Sequence, residues 1–258
     1  MVQNKTRTLI VGDIHTKYHI FDRMRELGKN YDRVIFLGDY CDDWNAIPEA
    51  SLNLLEGLKQ YKLSNPDKVM LCMGNHDISE WLGNEFKCSG FNYFTHQLVA
   101  SFFNKNKALF QLAYTDGQFL YTHAGLTNSW AERYFPDLSF DPTNLIYVEK
   151  TLNTLLTDNP KDLLPLADVG KARGGYRNPS IVWADAQELI ADPYPIPQIV
   201  GHTPMSTVQH FQTQDFELYF CDTFSTCPNG SDYGDNTLLE IINGKPRKIN
   251  LDRKQIPW

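Results

Sequence analysis

The sequence predicts an α/β fold, one domain built on two packed sheets. Three observations carry that prediction. Three strand-like runs each end at a glycine followed by polar residues: 8–11 before Gly12, 33–37 before Gly38 and 68–73 before Gly74. Segments with apolar residues at helical spacing lie between them. Beyond about residue 118 the pattern changes to mainly strands.

In order, 8–11 (Thr-Leu-Ile-Val) is a buried-strand pattern. Residues 18–27 read as a helix, with Ile20, Phe21, Met24 and Leu27 on one face. The run 33–37 (Arg-Val-Ile-Phe-Leu) is a second strand. Pro48 then opens a helix at a favoured first-turn position, with Leu52, Leu55 and Leu58 as its apolar face. Residues 68–73 form a third strand. This rhythm predicts right-handed crossovers and a parallel sheet. Further strands are expected at 118–122, 181–183, 198–200, 207–212, 216–221, 238–242 and 248–251, and a helix at about 144–156. Asn243-Gly244 is a strong hairpin signal. The Pro-, Gly- and charge-rich character of the region up to 175 marks 141–175 as a helical and loop insertion near the surface. No internal repeat or low-complexity linker interrupts the chain, so 1–258 is expected to be a single domain.

Composition narrows the function. The 258 residues are 42% hydrophobic and 21% charged, as in globular proteins. A chain of this length buries about 70–75% of its unfolded surface without needing a disulfide or metal to fold. Lys plus Arg number 24 and Asp plus Glu 31, a net charge of −7. That balance argues against nucleic acid as a partner. No apolar run approaches the ~20 residues of a membrane span, and the N-terminal segment shows no signal-peptide core. The five cysteines are irregularly spaced, with no CxxC pair. Reduced thiols and a cytoplasmic location are the expectation.

The chemistry concentrates where strands end. Gly12-Asp13-Ile14-His15, Gly38-Asp39-Tyr40-Cys41-Asp42-Asp43 and Gly74-Asn75-His76-Asp77 follow the first three strands; His123-Ala124-Gly125 and Gly201-His202-Thr203-Pro204 follow two later ones. Carboxyl ends of parallel strands converge on one edge, where open α/β folds bind ligands. A single such motif is usually a turn. Five in order, each after a predicted strand, point to a site. Asp13, His15, Asp39, Asn75, His123 and His202 form an oxygen and nitrogen donor set suited to Mn, Fe, Zn, Ni or Co and too rich in nitrogen for calcium. Six donors exceed one open tetrahedral zinc site. They fit two ions about 3.5–4 Å apart with a shared carboxylate, for which Asp39 is the natural choice. Such a site stays net positive and attracts phosphate despite the acidic chain.

These motifs resemble the calcineurin-like metallophosphoesterases over nearly the whole chain, Gly12 to Pro204. The resemblance is strongest to the branch holding the serine/threonine protein phosphatases, phage and bacterial phosphatases, and symmetrical diadenosine tetraphosphate hydrolases. It implies a four-layer α/β/β/α sandwich of two mixed sheets. It also implies one metal on Asp13, His15 and Asp39 and a second on Asp39, Asn75, His123 and His202. Diesterase relatives end in GHxH; Thr203-Pro204 after His202 favours the phosphatase branch.

The expected activity is hydrolysis of phosphomonoesters by attack of a metal-bridging hydroxide on phosphorus. The substrate would be a phosphorylated small molecule, nucleotide or phosphoprotein. His76, beside Asn75, is placed to protonate the leaving oxygen. Asp42 resembles the family's acidic partner of that imidazole. Asp77 reads as an N-cap or loop acceptor rather than a catalyst.

The chain departs from the pattern in two places. Protein phosphatases carry a phosphate-binding arginine where this chain has Asp43, and Thr16 replaces a glycine after His15. Arg173 and Arg177, in a glycine-flanked loop, are the candidate substitutes for the arginine, with a solvated basic loop as the equal alternative. The aromatic stretch 81–103 is expected to be core rather than a base-stacking surface. Two other functions stay open: cleavage of phosphoanhydrides such as dinucleoside polyphosphates, and a non-catalytic binding scaffold. The intact donor set counts against the scaffold.

Overall fold

The computed structural model describes residues 6–44 and 46–251. The ends of the expected 1–258 domain, including the N-terminal residues 1–5 read as lacking a signal-peptide core, lie outside the described residues. The chain runs β1 (Arg7–Val11), α1 (Tyr18–Gly28), β2 (Arg33–Phe36), α2 (Pro48–Ser64), β3 (Val69–Leu71), α3 (Asn75–Leu82), α4 (Tyr93–Asn106), β4 (Ala113–Thr115), β5 (Leu120–Thr122), α5 (Asn128–Tyr134) and α6 (Leu145–Asn153). It continues through α7 (Ala186–Ala191), β6 (Gln198–Val200), β7 (Gln209–Gln212), β8 (Glu217–Phe220), β9 (Thr237–Ile242) and β10 (Lys245–Asn250).

Two five-stranded mixed sheets result, ordered β10-β9-β1-β2-β3 and β4-β5-β6-β8-β7. β1, β2 and β3 are parallel, as their alternation with helices predicts. β9 adds antiparallel to β1 and turns into β10 through Asn243 and Gly244, both at positive φ. That is the backbone a two-residue hairpin demands. The period-two alternation of strands builds the layers. In β1, Leu9 and Val11 join one core with Ile20, Phe21 and Met24 of α1 and Leu54, Leu55 and Leu58 of α2. Ile10, with Ile35, Ile199, Tyr219, Leu239 and Ile241, points the other way and fills the space between the sheets. Val200, Leu218 and Phe220 pack outward on Leu189 of α7. The order is therefore helices, sheet, sheet, helix.

Three segments differ from expectation. Residues 181–183 form a tight turn rather than a strand: Trp183 and Ala184 N–H both donate to Ser180 O. The apolar triplet reflects burial, not sheet pairing. The 141–175 segment is anchored rather than draped on the surface. Its Val148, Leu152, Leu163 and Leu166 are buried, and the Asn153 side chain bonds Leu112 and Ala113 backbone at β4. The aromatic stretch splits: Phe86, Phe102 and Phe103 are core, whereas Tyr93 and Phe94 are exposed on α4.

Candidate metal centre

The loops after β1, β2, β5 and β6 and the N-terminus of α3 meet at one edge of the paired sheets. Except for the loop after β5, whose His123 is fully buried, they line a cavity of about 850 Å³ whose walls include Asp13, His15, Asp39, Asn75, His76 and His202. Close approach of these loops requires glycine twice. A Cβ on Gly74 would stand 2.1 Å from Asp39 Oδ1, and one on Gly201 would stand 2.1 Å from Asp13 Oδ1. Four site residues, His15, Asp39, Asp42 and His202, hold φ between 39° and 65°. That left-handed backbone is costly for residues with a Cβ and clusters at functional sites.

Two donor groups result. Donor atoms of Asp13, His15 and Asp39 lie within 4.8 Å of one another, as do those of Asp39, His123 and His202. Asp39 is common to both. His123 Nε2 lies 3.0 Å from Asn75 Oδ1, 3.1 Å from His202 Nδ1 and 3.4 Å from Asp39 Oδ2. His123 Nδ1–H donates to Leu37 O, and His15 Nδ1–H donates to Cys41 O. Each ring therefore turns the lone pair of its Nε2 toward the other donors, the arrangement outer hydrogen bonds give to metal-binding imidazoles. His202 Nε2 is buried with no hydrogen-bond partner among the described residues. Buried carboxylate, amide and imidazole donors crowded this closely together call for a cation, so the donor set fits metal ions.

Electrostatics agree. Burial, then the neighbouring Asp222 charge, pushes the Asp13 carboxyl well above its ordinary range. Burial opposes the charged form of His123, yet Asp39 and Asp13 outweigh it and lift the ring to about 9. Burial, then the charges of His123 and Arg173, hold His202 well below its ordinary value, leaving it neutral. Protein charges alone thus put a proton where a metal ion would resolve the same imbalance.

His76 sits at the start of α3, its N–H donating to Asp39 Oδ1 at 3.0 Å and its Nδ1–H donating to Asp42 Oδ2 at 3.1 Å. Arg173 reaches the cavity wall. Its guanidinium pairs with Asp185 at 3.1 Å and donates to His202 O and Thr203 Oγ1 at 3.4 Å. Arg177 does not reach it: it turns away, exposed, to Asp168 at 3.0 Å. The Asp43 position, where the resemblance leads one to expect arginine, carries an ion pair instead. Lys17 Nζ lies 2.9 Å from Asp43 Oδ2, both side chains nearly buried.

Lys17 and Asp222 were not singled out from sequence. Asp222 is buried on the cavity wall, and Ser225 Oγ donates to it at 2.7 Å. Its one signal was its place directly after a strand, the same position the five motifs occupy. Lys17 gave no signal beyond its nearness to His15.

Residues 6–223 match the family model for calcineurin-like phosphoesterase. The chain belongs to the calcineurin-like phosphoesterase family. By family it is a phosphoric ester hydrolase, and family members use divalent metal ions. A serine/threonine-protein phosphatase 4 catalytic subunit from Eremothecium gossypii is 38% identical over 79 residues, 29% of this phosphoesterase and 24% of the relative. The phosphoesterase thus spans about a quarter of that relative's length. Among solved structures, a cold-active protein-tyrosine phosphatase of a Shewanella species aligns with TM-score 0.58 at 16% identity, covering 95% of this chain and 80% of that one. A protein serine/threonine phosphatase from Saccharomyces cerevisiae, described as similar to human PP5, aligns with TM-score 0.53 at 16% identity and the same coverages. At such identity the likeness shows the shared fold.

Proposed function

We propose that this phosphoesterase is a metal-dependent phosphatase that hydrolyses phosphomonoesters. Asp13, His15 and Asp39 would hold one ion, and Asp39, Asn75, His123 and His202 a second. Bound there, the ions activate water and neutralise charge on the phosphoryl oxygens. His76 donates the proton the leaving oxygen needs, from Nε2. Asp42 fixes the other ring nitrogen and keeps the imidazole oriented. Burial works against a charged His76, but the Asp39 charge and the Asp42 hydrogen bond raise it well above its ordinary value. Arg173 binds the phosphate at the cavity wall.

The observation that supports this reading most is the 3.1 Å contact between His76 and Asp42 on the cavity that five of the six donors line. A pure scaffold has no use for that oriented acid. The test is hydrolysis of p-nitrophenyl phosphate by protein loaded with Mn²⁺, Ni²⁺, Co²⁺ or Zn²⁺ and then stripped by chelator. Metal-dependent turnover supports the assignment; none with any of the four ions overturns it. A panel of phosphopeptides, nucleotides and sugar phosphates then selects the substrate class, and cleavage of dinucleoside polyphosphates alone would move the assignment to phosphoanhydrides.

A further inference from the structure

Beside the metal centre, a cysteine converges on the proposed acid. Cys88 Sγ lies 3.6 Å from His76 Nδ1, the same nitrogen that meets Asp42 Oδ2 at 3.1 Å. The three donor atoms lie within 4.8 Å of one another. A tetrahedral zinc ion, at ~2.0 Å from nitrogen and oxygen and ~2.3 Å from sulfur, spaces nitrogen from oxygen by about 3.3 Å and nitrogen from sulfur by about 3.6 Å. The two observed separations match those edges closely.

Each of the three side chains is carried by a separately fixed backbone. Cys88 N–H donates to Ser79 Oγ on α3 at 3.1 Å. Asp42 N–H donates to Ser51 Oγ on α2 at 3.3 Å. His76 N–H is held by Asp39. Near Asp42 lies the buried carboxyl of Glu80, whose Oε1 accepts Asn92 N–H at 2.8 Å. Such outer support is what a metal site needs to keep its ligands aimed. All three ligands also line the cavity, which leaves a fourth position open to solvent. One thiolate, one imidazole and one carboxylate form a softer set than the six donors next door, and softness favours zinc over manganese or magnesium.

We propose that Asp42, His76 and Cys88 form an inhibitory zinc site, distinct from the dinuclear centre. Zinc bound there occupies His76 Nδ1 and takes Asp42 as a ligand. The Nδ1 proton and the thiol proton leave to solvent. The imidazole loses the carboxylate that orients it for proton donation, and turnover stops. The inhibitory half of this inference rests on the phosphatase reading above; the zinc site itself rests on the cluster alone.

Sulfur makes the test specific, because the dinuclear donors include none. Wild-type protein carrying two equivalents of Co²⁺ is titrated with more Co²⁺ while thiolate-to-cobalt absorption is recorded, and bound Zn²⁺ is counted by equilibrium dialysis. Zinc inhibition of p-nitrophenyl phosphate hydrolysis is then measured in wild type, Cys88→Ser and Cys88→Ala, each against its own zinc-free rate. The expected result is a thiolate band and an additional zinc equivalent in wild type, both lost in the variants. The zinc concentration for half-inhibition should rise roughly 10–100-fold in both variants, the scale on which metal sites weaken when their support is removed. No thiolate band, or equal inhibition in all three proteins, overturns the proposal and leaves a hydrogen-bonded cluster only. A band without any hydrolysis supports the zinc site and overturns the phosphatase reading instead.

Discussion

Asp77 Oδ2 accepts the backbone N–H of Asp39 at 2.9 Å. The same carboxylate also accepts the N–H groups of Gly74 at 2.9 Å, Tyr40 at 2.8 Å and Cys41 at 3.1 Å. One buried side chain therefore ties the loop after β2 to the start of α3. In Asp77→Asn, an amide NH₂ faces backbone donors where an oxygen stood. The expected cost is about 1–3 kcal/mol per stranded group, with weaker metal binding because Asp39 loses its anchor. Denaturant unfolding and bound-metal analysis check both; wild-type values in each would contradict the role.

His76→Asn should lower turnover roughly 10²–10⁴-fold while metal content stays unchanged. Asp42→Asn should reduce turnover in the same direction, since the ring keeps its second nitrogen but loses its charged partner. Asp39→Asn should instead deplete bound metal. With no zinc added, loss of ions from the dinuclear centre in the His76 variant would mean that the residue holds one of those ions rather than donating a proton.

Gly201→Ala tests how closely the loop after β6 must approach Asp13. The new Cβ would stand 2.1 Å from Asp13 Oδ1. Asp13 also accepts His202 N–H at 3.0 Å, so displacing it disturbs donors on both sheets. Metal content and activity should fall together, with the circular dichroism spectrum retained. A fully metallated, active variant would show that the loop yields at little cost.

Glu80 sets a pH dependence of stability. Burial, then the Asp42 charge, raises its carboxyl from 4.5 to about 8. The folded state holds this proton where the unfolded chain has lost it. The contribution is complete below about pH 4.5 and declines as pH rises toward 8. Glu80→Gln keeps an acceptor for Asn92 N–H and removes the titration. Its melting temperature should fall less than that of wild type between pH 5 and 8.5; parallel curves would refute the assignment.

The two arginines of the 171–177 loop should separate cleanly. Arg173→Ala should raise KM for a phosphomonoester roughly 10–100-fold, the scale of a charge-assisted hydrogen bond, with a smaller effect on kcat. Arg177→Ala, at an exposed pair with Asp168, should shift KM by less than about twofold. Steady-state kinetics on the two variants decide this, and equal effects would place both on substrate.

The site was legible because its signal is local. Each donor except His15 follows a short apolar run and a glycine or threonine, so strand ends and ligands could be read together. The place of His123 and His202 after strands put them with the other four donors, and the family resemblance supplied the division of the six between two ions. Pairings remote in sequence left no trace. β9 beside β1 joins residues at opposite ends of the chain, and Lys17 meets Asp43 across a turn that neither residue type announces. α4 hid because Phe94, Val99, Phe102 and Phe103 do not keep to one face. α7 and β4 span too few residues to show a period. Ile181 to Trp183 misled because burial in a turn selects the same β-branched and aromatic residues as a strand.

The donors are divided between the two sheets. Asp13, His15, Asp39 and Asn75 come from the loops of the first, whereas His123 and His202 come from the second. The Asp13, His15 and Asp39 set therefore comes from the first sheet alone, whereas the set with His123 and His202 needs both sheets. The second set is complete only where the two sheets come together, so its geometry reports on their contact.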